Sequence, residues 1–117
     1  MNQPPPLLPT REDGVLTLTL NSPQTRNALS EQMMRVLQIS LDEAVDDDAV
    51  KVIVLAANGP AFCAGHDLRE LTAHRTDADK GHGFYRAIFH QCSRLMQTIV
   101  RHPKPVIAQV QIGRAHV

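Results

Sequence analysis

A short polar stretch that follows an apolar run contains the residues best suited to chemistry. The stretch "PAFCAGHDLREL" occupies residues 60–71 and places Gly65, His66 and Asp67 in succession. Glycine tolerates backbone angles that a Cβ forbids, and the N–H groups at the start of a helix point outward and carry partial positive charge. We therefore predict that His66 enters the first turn of a helix. Its backbone N–H would be one donor of an oxyanion hole.

The same residues permit other interpretations. In the structural one, Gly65 is only a turn and Asp67 only a helix cap, because Gly-x-Asp before a helix is common capping sequence. Cys63 and His66, three residues apart, suggest a thiol nucleophile or half of a zinc site. Because nothing supplies an orienting third group or a second ligand pair, we predict no metal site.

The overall composition favours a single domain that binds small molecules or proteins. The chain has 117 residues, of which 43% are hydrophobic, which is enough for one modest core. Twelve basic and twelve acidic residues cancel. This balance provides no whole-molecule charge for a nucleic acid or an anionic membrane, so we predict neither as a partner.

The compartment is predicted from the cysteines and from the first residues. Cys63 and Cys92 lie far apart in a chain without a secretory signal pattern, which favours free thiols over a disulfide. The first residues lack the Arg-rich amphipathic character of a transit peptide, and no stretch approaches 18 apolar residues. We expect a cytoplasmic bacterial protein and consider a mitochondrial one less favoured.

The first half of the chain predicts a strand, a helix and a second strand. Residues 15–21 alternate apolar side chains and Thr with the period of a strand. From Ser30, the predicted cap, the apolar period changes to that of a helix whose buried stripe comprises Met34, Leu37, Leu41, Ala44 and Val45. The helix should end before the three aspartates at 46–48. Residues 50–57 are continuously apolar, as in a parallel strand covered on both faces.

The second half predicts two helices and a further strand. A short helix should begin near Asp67, and a polar connection should follow it. A long amphipathic helix should then end at His102-Pro103, with one apolar face made by Phe84, Ile88, Cys92, Leu95, Met96 and Ile99. Residues 104–110 should form another buried strand. Alternating strands and helices are typical of an α/β protein with a parallel sheet.

The two ends are predicted to lie outside the ordered domain. The proline-rich opening neither donates hydrogen bonds nor continues a helix, so we expect residues 1–13 to be a disordered lead. Residues 14–110 form the ordered part. The sequence "IGRAHV" matches one reading frame of a common sequencing-adapter DNA, and we predict that residues 111–117 are a non-native tail.

Four motifs together resemble one known family. The sequences "SPQTRNALS", "VKVIVLAANG", "AFCAGHDLREL" and "HPKPVIAQV" have the order and spacing found in the enoyl-CoA hydratase/isomerase, or crotonase, superfamily. The "GHDLREL" form is most similar to the enoyl-CoA hydratase domain-containing proteins, particularly the third type. The resemblance implies the N-terminal part of a crotonase (ClpP-like) spiral of β-β-α units. It also implies that the full-length form is a homotrimer or homohexamer.

The resemblance also implies roles for individual residues. Arg26 would contact the phosphates or adenine of coenzyme A, because a guanidinium is permanently charged and clasps phosphate through two donors. Ala28 would line the path of the pantetheine arm. The thioester end would be gripped by Ala64, His66, Asp67 and Leu68, with the His66 amide as the first oxyanion donor. Coenzyme A would enter as part of an acyl-CoA substrate, with no permanently bound cofactor.

The function expected from the resemblance is binding of acyl-CoA in fatty acyl-CoA metabolism. The family's second oxyanion donor lies in a Gly-rich stretch where this chain has "QIG", which makes Gly113 a poor substitute, and the acid-base glutamates lie further on. Without a general base, water addition loses roughly 10² to 10⁴ in rate. We therefore expect this chain to be inactive as given. The alternative is a non-catalytic acyl-CoA-binding or interaction module.

Two further expectations concern His66 and solubility. The side chain of His66 stands where the family usually has a small residue, and it either acts on the acyl group or packs away from it. A parallel sheet that lacks its next strands would expose an edge and part of a core. We therefore expect the isolated chain to be poorly soluble or partly unfolded.

Overall fold

A four-stranded mixed sheet with helices on one face forms the fold. The computed structural model describes residues 4–59, 62, 63 and 65–110. The sheet order is β1-β2-β3-β4, with strands β1 (Leu7–Glu12), β2 (Val15–Leu20), β3 (Val52–Ala57) and β4 (Val106–Ala108). The helices are α1 (Glu31–Val45), α2 (Leu68–Ala73) and α3 (His82–Arg101), with 3-10 turns at Pro23–Thr25 and His74–Thr76. The predicted α/β class is confirmed.

The first strand contradicts the prediction of a disordered lead. β1 pairs antiparallel with β2 through a two-residue turn, in which Asp13 (φ 51°) and Gly14 (φ 82°) both have positive φ. Positive φ at both central residues is the conformation that Asp-Gly favours in hairpins. Pro9 is tolerated because β1 is an edge strand. Since the Asn21 N–H donates to Pro6 O (2.7 Å), alternation along the ladder places Pro9 in a non-hydrogen-bonded pair.

The remaining strands are parallel, as predicted. β2 pairs with β3 in the register Leu16↔Ile53 and Leu18↔Leu55, and β3 pairs with β4 through Ile53↔Val106. These residues share the face covered by the helices, and the side chains of Leu18 and Ile53 are 0% exposed. β4 is shorter than the predicted 104–110, although the Gln109 N–H still donates to Leu55 O (2.8 Å).

Helix α1 forms where its cap and apolar stripe predict it. The Ser30 hydroxyl accepts from the Met33 N–H, and the helix ends at Val45, before the aspartates. The buried residues of the helix are Met33, Met34, Leu37, Gln38, Leu41 and Ala44. Val45 was predicted to be buried but is 41% exposed at the last position of the helix.

Helix α3 runs parallel to α1 and completes the core. Gln91 Nε2 donates to Glu31 O (3.0 Å), and Gln38 Nε2 donates to Thr98 Oγ1 (2.8 Å), so the two helices run in the same direction. The predicted apolar face is confirmed for Phe84, Ile88, Cys92, Leu95 and Ile99, which are buried or packed against the core. Met96 is 42% exposed and does not belong to that face.

A carboxylate outside the helix organises the start of α3. The N-cap position is Gly81, which has no side chain to cap with, and Asp79 provides the acceptors instead. Its Oδ2 accepts from the Gly83 N–H (2.8 Å) and its Oδ1 from the Gly81 N–H (3.0 Å). The bond from Gly83 and then that from Gly81 hold the pKa of Asp79 below its usual 3.8.

A lysine joins the end of α1 to the segment before β4. Lys104 Nζ donates to Ala44 O (2.6 Å) and to Asp47 O (2.5 Å), which are carbonyls at the negative end of α1. We expect Lys104→Met to lower the free energy of unfolding by about 1–2 kcal/mol, because the apolar stem stays and the charged donor is lost. Denaturant titration measures this. The exposed Lys51 supplies the matched control, and a Lys51→Met loss of the same size would contradict the capping role.

Candidate functional site

The turn that carries His66 is held by a loop that lies far away in the sequence. Leu29 and His66 form an isolated parallel bridge, in which the Leu29 N–H donates to Gly65 O (2.6 Å) and the Asp67 N–H donates to Leu29 O (3.2 Å). The bridge joins the loop after β2 to the turn after β3. Two of the motifs identified in the sequence are therefore adjacent in space.

The bridge determines where the His66 amide points. In a parallel bridge, one of the two paired residues makes both hydrogen bonds. Its bonds go to the residues just before and just after its partner, and the partner itself makes none of them. Leu29 makes both bonds here, so the N–H of His66 is directed away from the Leu29 segment. Within the described residues, no group accepts a hydrogen bond from this N–H.

Helix α2 begins near Asp67, as predicted. Asp67 is the N-cap, and its Oδ1 accepts from the N–H groups of Arg69 (3.0 Å) and Glu70 (3.4 Å). His66 therefore precedes the cap and is not in the first helical turn, which corrects the prediction. The direction of its amide comes from the bridge to Leu29, and the carboxylate of Asp67 is used for capping.

Helix α2 is fixed to both longer helices. Glu70 Oε1 accepts from the Glu31 N–H (2.9 Å) at the start of α1, and the Tyr85 hydroxyl of α3 donates to Leu71 O (2.9 Å). These two bonds, together with the Asp67 cap, fix helix α2 and therefore the end of the turn that carries His66. Leu68 begins the helix and is 72% exposed.

Gly65 has the backbone conformation that only glycine adopts easily. Its φ is +96°, and a Cβ built on it would meet nothing within 4 Å. Glycine is therefore favoured here because of the backbone angle, and not because a side chain would lack space. A side chain at this position would strain the turn next to the His66 amide without a steric clash.

The imidazole of His66 packs toward α3. Its ring meets that of Phe89 edge-on, with centroids 5.8 Å apart and an angle of 75° between the planes. Nδ1 of His66 is buried and has no hydrogen-bond partner among the residues that the structure describes.

The loop after β2 places the other predicted site residues. Arg26 ends the 3-10 turn with φ 54° and its side chain is exposed, while Ala28 is half-buried and donates its N–H to Thr25 O (3.2 Å). Both precede Leu29, so they lie on the chain that forms the bridge. Ala64 and Gly113 lie outside the described residues.

An important residue of this loop was not identified from the sequence. Asn27 is 0% exposed, its Oδ1 accepts from the Ser22 N–H (2.7 Å), and its Nδ2 donates to Asn58 O (2.8 Å). It ties both ends of the loop to the end of β3. The local sequence marks a turn here, but only the tertiary structure shows that this asparagine is buried.

Two classes of feature are absent from the described part of the chain. No helix there is long and apolar enough to cross a membrane. No group of three or more His, Cys, Asp or Glu side chains is arranged there to hold a metal ion.

Comparison with known proteins identifies the family. A sequence profile described as enoyl-CoA hydratase/isomerase matches residues 15–111. The chain belongs to the enoyl-CoA hydratase/isomerase family. It is 38% identical over 109 residues to human "Enoyl-CoA hydratase domain-containing protein 3, mitochondrial", which covers 93% of this chain and 34% of the human protein. The chain thus spans about a third of the length of that relative.

A solved structure of the same family has the same architecture. The crystal structure of an enoyl-CoA hydratase from Mycobacterium smegmatis is 45% identical and superposes with a TM-score of 0.81. The match covers 92% of this chain and 40% of that one. The predicted crotonase fold, represented by its N-terminal part, is therefore confirmed, as is the resemblance to the third domain-containing type.

The predicted location is wrong. The human, rat and mouse relatives are all named as mitochondrial proteins, which conflicts with a cytoplasmic bacterial assignment. The prediction depended on the lack of a transit-peptide pattern in the first residues. The composition of this stretch does not report the compartment.

Proposed function

We propose that this chain binds the thioester end of an acyl-CoA and stabilises charge on the thioester oxygen through the His66 backbone N–H. The observation that carries the proposal is the Leu29–His66 bridge, because it uses the backbone groups on either side of the His66 N–H and directs that N–H away from the bridge. A donor held in place before the ligand arrives requires no reorganisation when charge develops.

The same loop would also bind the coenzyme A end of the ligand. Arg26 is exposed on the segment that leads into the bridge, three residues before Leu29. A guanidinium there attracts the phosphates of coenzyme A while the acyl carbonyl lies at the His66 turn. Ala28, between them and without a bulky side chain, leaves room for the pantetheine arm. Coenzyme A is part of the substrate and is not a resident cofactor.

The larger claim concerns the family's reaction. We propose that the whole protein acts on fatty acyl-CoA as a hydratase or isomerase and assembles as a homotrimer or homohexamer. In that reaction, the described region of the chain would bind the thioester carbonyl oxygen of the substrate. Removal of one such donor costs about 2.7–4 kcal/mol of transition-state stabilisation in an enzyme.

Calorimetric titration with two matched ligands tests the proposal. One is butyryl-CoA, and the other is its thioether analogue, in which CH₂ replaces the carbonyl. We expect butyryl-CoA to bind about three- to tenfold more tightly, as one hydrogen bond to the carbonyl oxygen implies. Equal affinities would contradict the role of the His66 amide. Tight carbonyl-dependent binding without turnover by the full-length protein would support the non-catalytic module instead of an enzyme.

The role of Arg26 gives a separate expected result. Arg26→Ala should weaken the binding of free coenzyme A about five- to tenfold at low salt, and the loss should shrink as salt screens the phosphate charges. The exposed Arg75 of the 3-10 turn provides the control, because Arg75→Ala removes the same charge elsewhere. Equal effects of the two substitutions, or an effect independent of salt, would show that Arg26 does not contact the phosphates.

A further inference from the structure

One side of α3 forms a shallow cavity next to the His66 turn. The cavity has a volume of about 450 Å³ and is lined by Arg86, Phe89, His90 and Ser93. These residues share one face of the helix, because Arg86 and Ser93 each lie three or four positions from the other two. All four side chains are exposed, whereas Ile88 on the opposite face is buried in the core.

The ring of Phe89 connects this cavity to the proposed acyl site. It lines the cavity and also meets the imidazole of His66, with ring centroids 5.8 Å apart. The cavity therefore begins one side chain away from His66. Coenzyme A and the acyl group extend from opposite sides of a thioester carbon. If coenzyme A lies toward Arg26, the acyl group is the part of the ligand that reaches α3.

The polar side chains of the cavity are available to a ligand. Arg86, His90 and Ser93 make no hydrogen bond or ion pair with another residue that the structure describes. Arg94, further along the helix, differs because it pairs with Asp42 at 3.4 Å. Helix α3 contains no Asp or Glu and so supplies no counter-charge of its own. The cavity thus presents a guanidinium, an imidazole and a hydroxyl beside one apolar ring.

This composition favours a ligand with negative charge. An apolar acyl tail beside Phe89 would displace water from the Arg86 guanidinium without replacing its hydrogen bonds, which costs free energy. A carboxylate accepts charge-assisted hydrogen bonds from a guanidinium, and its two oxygens match the two donors of the fork. We propose that this cavity binds a carboxylate at the far end of the acyl group. The ligand is then the acyl-CoA of a dicarboxylic acid. This inference rests on the proposed function, which places the thioester at the His66 amide.

Calorimetric titration with pairs of acyl-CoA ligands tests the inference. The pairs are butyryl-CoA with succinyl-CoA, hexanoyl-CoA with adipyl-CoA, and octanoyl-CoA with suberyl-CoA. Within each pair the acyl chains have equal length, and a carboxylate replaces the terminal methyl. We expect the dicarboxylic ligand to bind about three- to tenfold more tightly at low salt in the two longer pairs, because the chain must pass the ring of Phe89. Arg86→Gln should remove this preference and leave the binding of hexanoyl-CoA unchanged.

Arg101→Gln is the matched control. It removes the same charge from an exposed position of the same helix, about 22 Å further along. The preference for the dicarboxylic ligand should remain in this variant. Circular dichroism verifies that both variants fold before they are titrated. The absence of a preference in every pair, or equal losses in the two variants, would overturn the inference.

A further ligand separates this inference from the proposed function. The thioether analogue of hexanoyl-CoA lacks the carbonyl, so a preference for hexanoyl-CoA over this analogue reports the His66 amide, and Arg86→Gln should leave it unchanged. A carbonyl preference without a carboxylate preference would refute the cavity's role and leave the proposed function standing. The reverse result, with a carboxylate preference that depends on Arg86, would refute the role of the amide and support the cavity.

Discussion

Asn27→Ala is expected to lower the free energy of unfolding by about 3 kcal/mol. The substitution leaves the Ser22 N–H and the Asn58 carbonyl without their partner in a partly buried setting, and each unsatisfied group costs roughly 1–3 kcal/mol. Asn27 also has φ 55°, a conformation that asparagine tolerates better than alanine. Chemical denaturation followed by circular dichroism measures the loss.

Asn21 is the matched control for this prediction. It lies in the same loop and also makes two side-chain hydrogen bonds, with Pro5 O (3.0 Å) and from Asn58 Nδ2 (3.0 Å), but both are exposed to solvent. Asn21→Ala should therefore cost less than about 1 kcal/mol, since water replaces the lost partners. Similar losses for the two substitutions would show that the burial of Asn27 does not organise the loop.

The Asn27 substitution should also weaken ligand binding. Asn27 holds the segment that contains Arg26, Ala28 and Leu29, and Leu29 in turn holds the His66 turn. A variant that is still folded at low temperature should bind butyryl-CoA less tightly than the parent chain. The loss should affect free coenzyme A as well, because the loop positions both ends of the proposed ligand.

Gly65→Ala is expected to abolish the preference for butyryl-CoA over its thioether analogue. The added Cβ meets nothing within 4 Å, so the substitution acts through the backbone, which must leave φ +96° or remain strained by roughly 1–2 kcal/mol. Either response moves the N–H of His66. Paired titrations with the two ligands measure the change.

Gly14 provides the control at a distance from the site. It has φ +82° in the turn between β1 and β2, and a Cβ there would meet mainly the flexible side chain of Lys51, at 3.2 Å. Gly14→Ala should lower stability by a similar amount and leave the preference between ligands unchanged. A lost preference in both variants would attribute the effect to general destabilisation, and an intact preference in Gly65→Ala would contradict the proposed geometry.

Elements with a local signal were predictable from the sequence. Helix α1 begins at the Ser30 cap and ends before the aspartates, and β3 is the continuous apolar run expected of a central parallel strand. Strand β1 was missed although its signal is local. The Asp13-Gly14 pair is a strong hairpin sequence, but the prolines before it favoured an extended lead.

The geometry of the candidate site depends on contacts that sequence reasoning does not reveal. The residues of the Leu29–His66 bridge are 37 positions apart, and it is this pairing rather than a helix start that orients the His66 amide. The burial of Asn27 likewise depends on the end of β3. Motif spacing identified the two segments, whereas their contact is a property of the folded sheet.

The most direct test of the central claim deletes the His66 N–H by changing a single backbone linkage. A chain assembled by ligation at Cys63 can carry an ester in place of the amide between Gly65 and His66, which deletes the N–H and keeps both side chains. The bond from the Asp67 N–H to Leu29 O is unchanged, and the Gly65 ester carbonyl still accepts from the Leu29 N–H, although less strongly than an amide carbonyl. We expect the ester chain to bind butyryl-CoA no more tightly than the thioether analogue. A preference for butyryl-CoA as large as that of the all-amide chain would contradict the account.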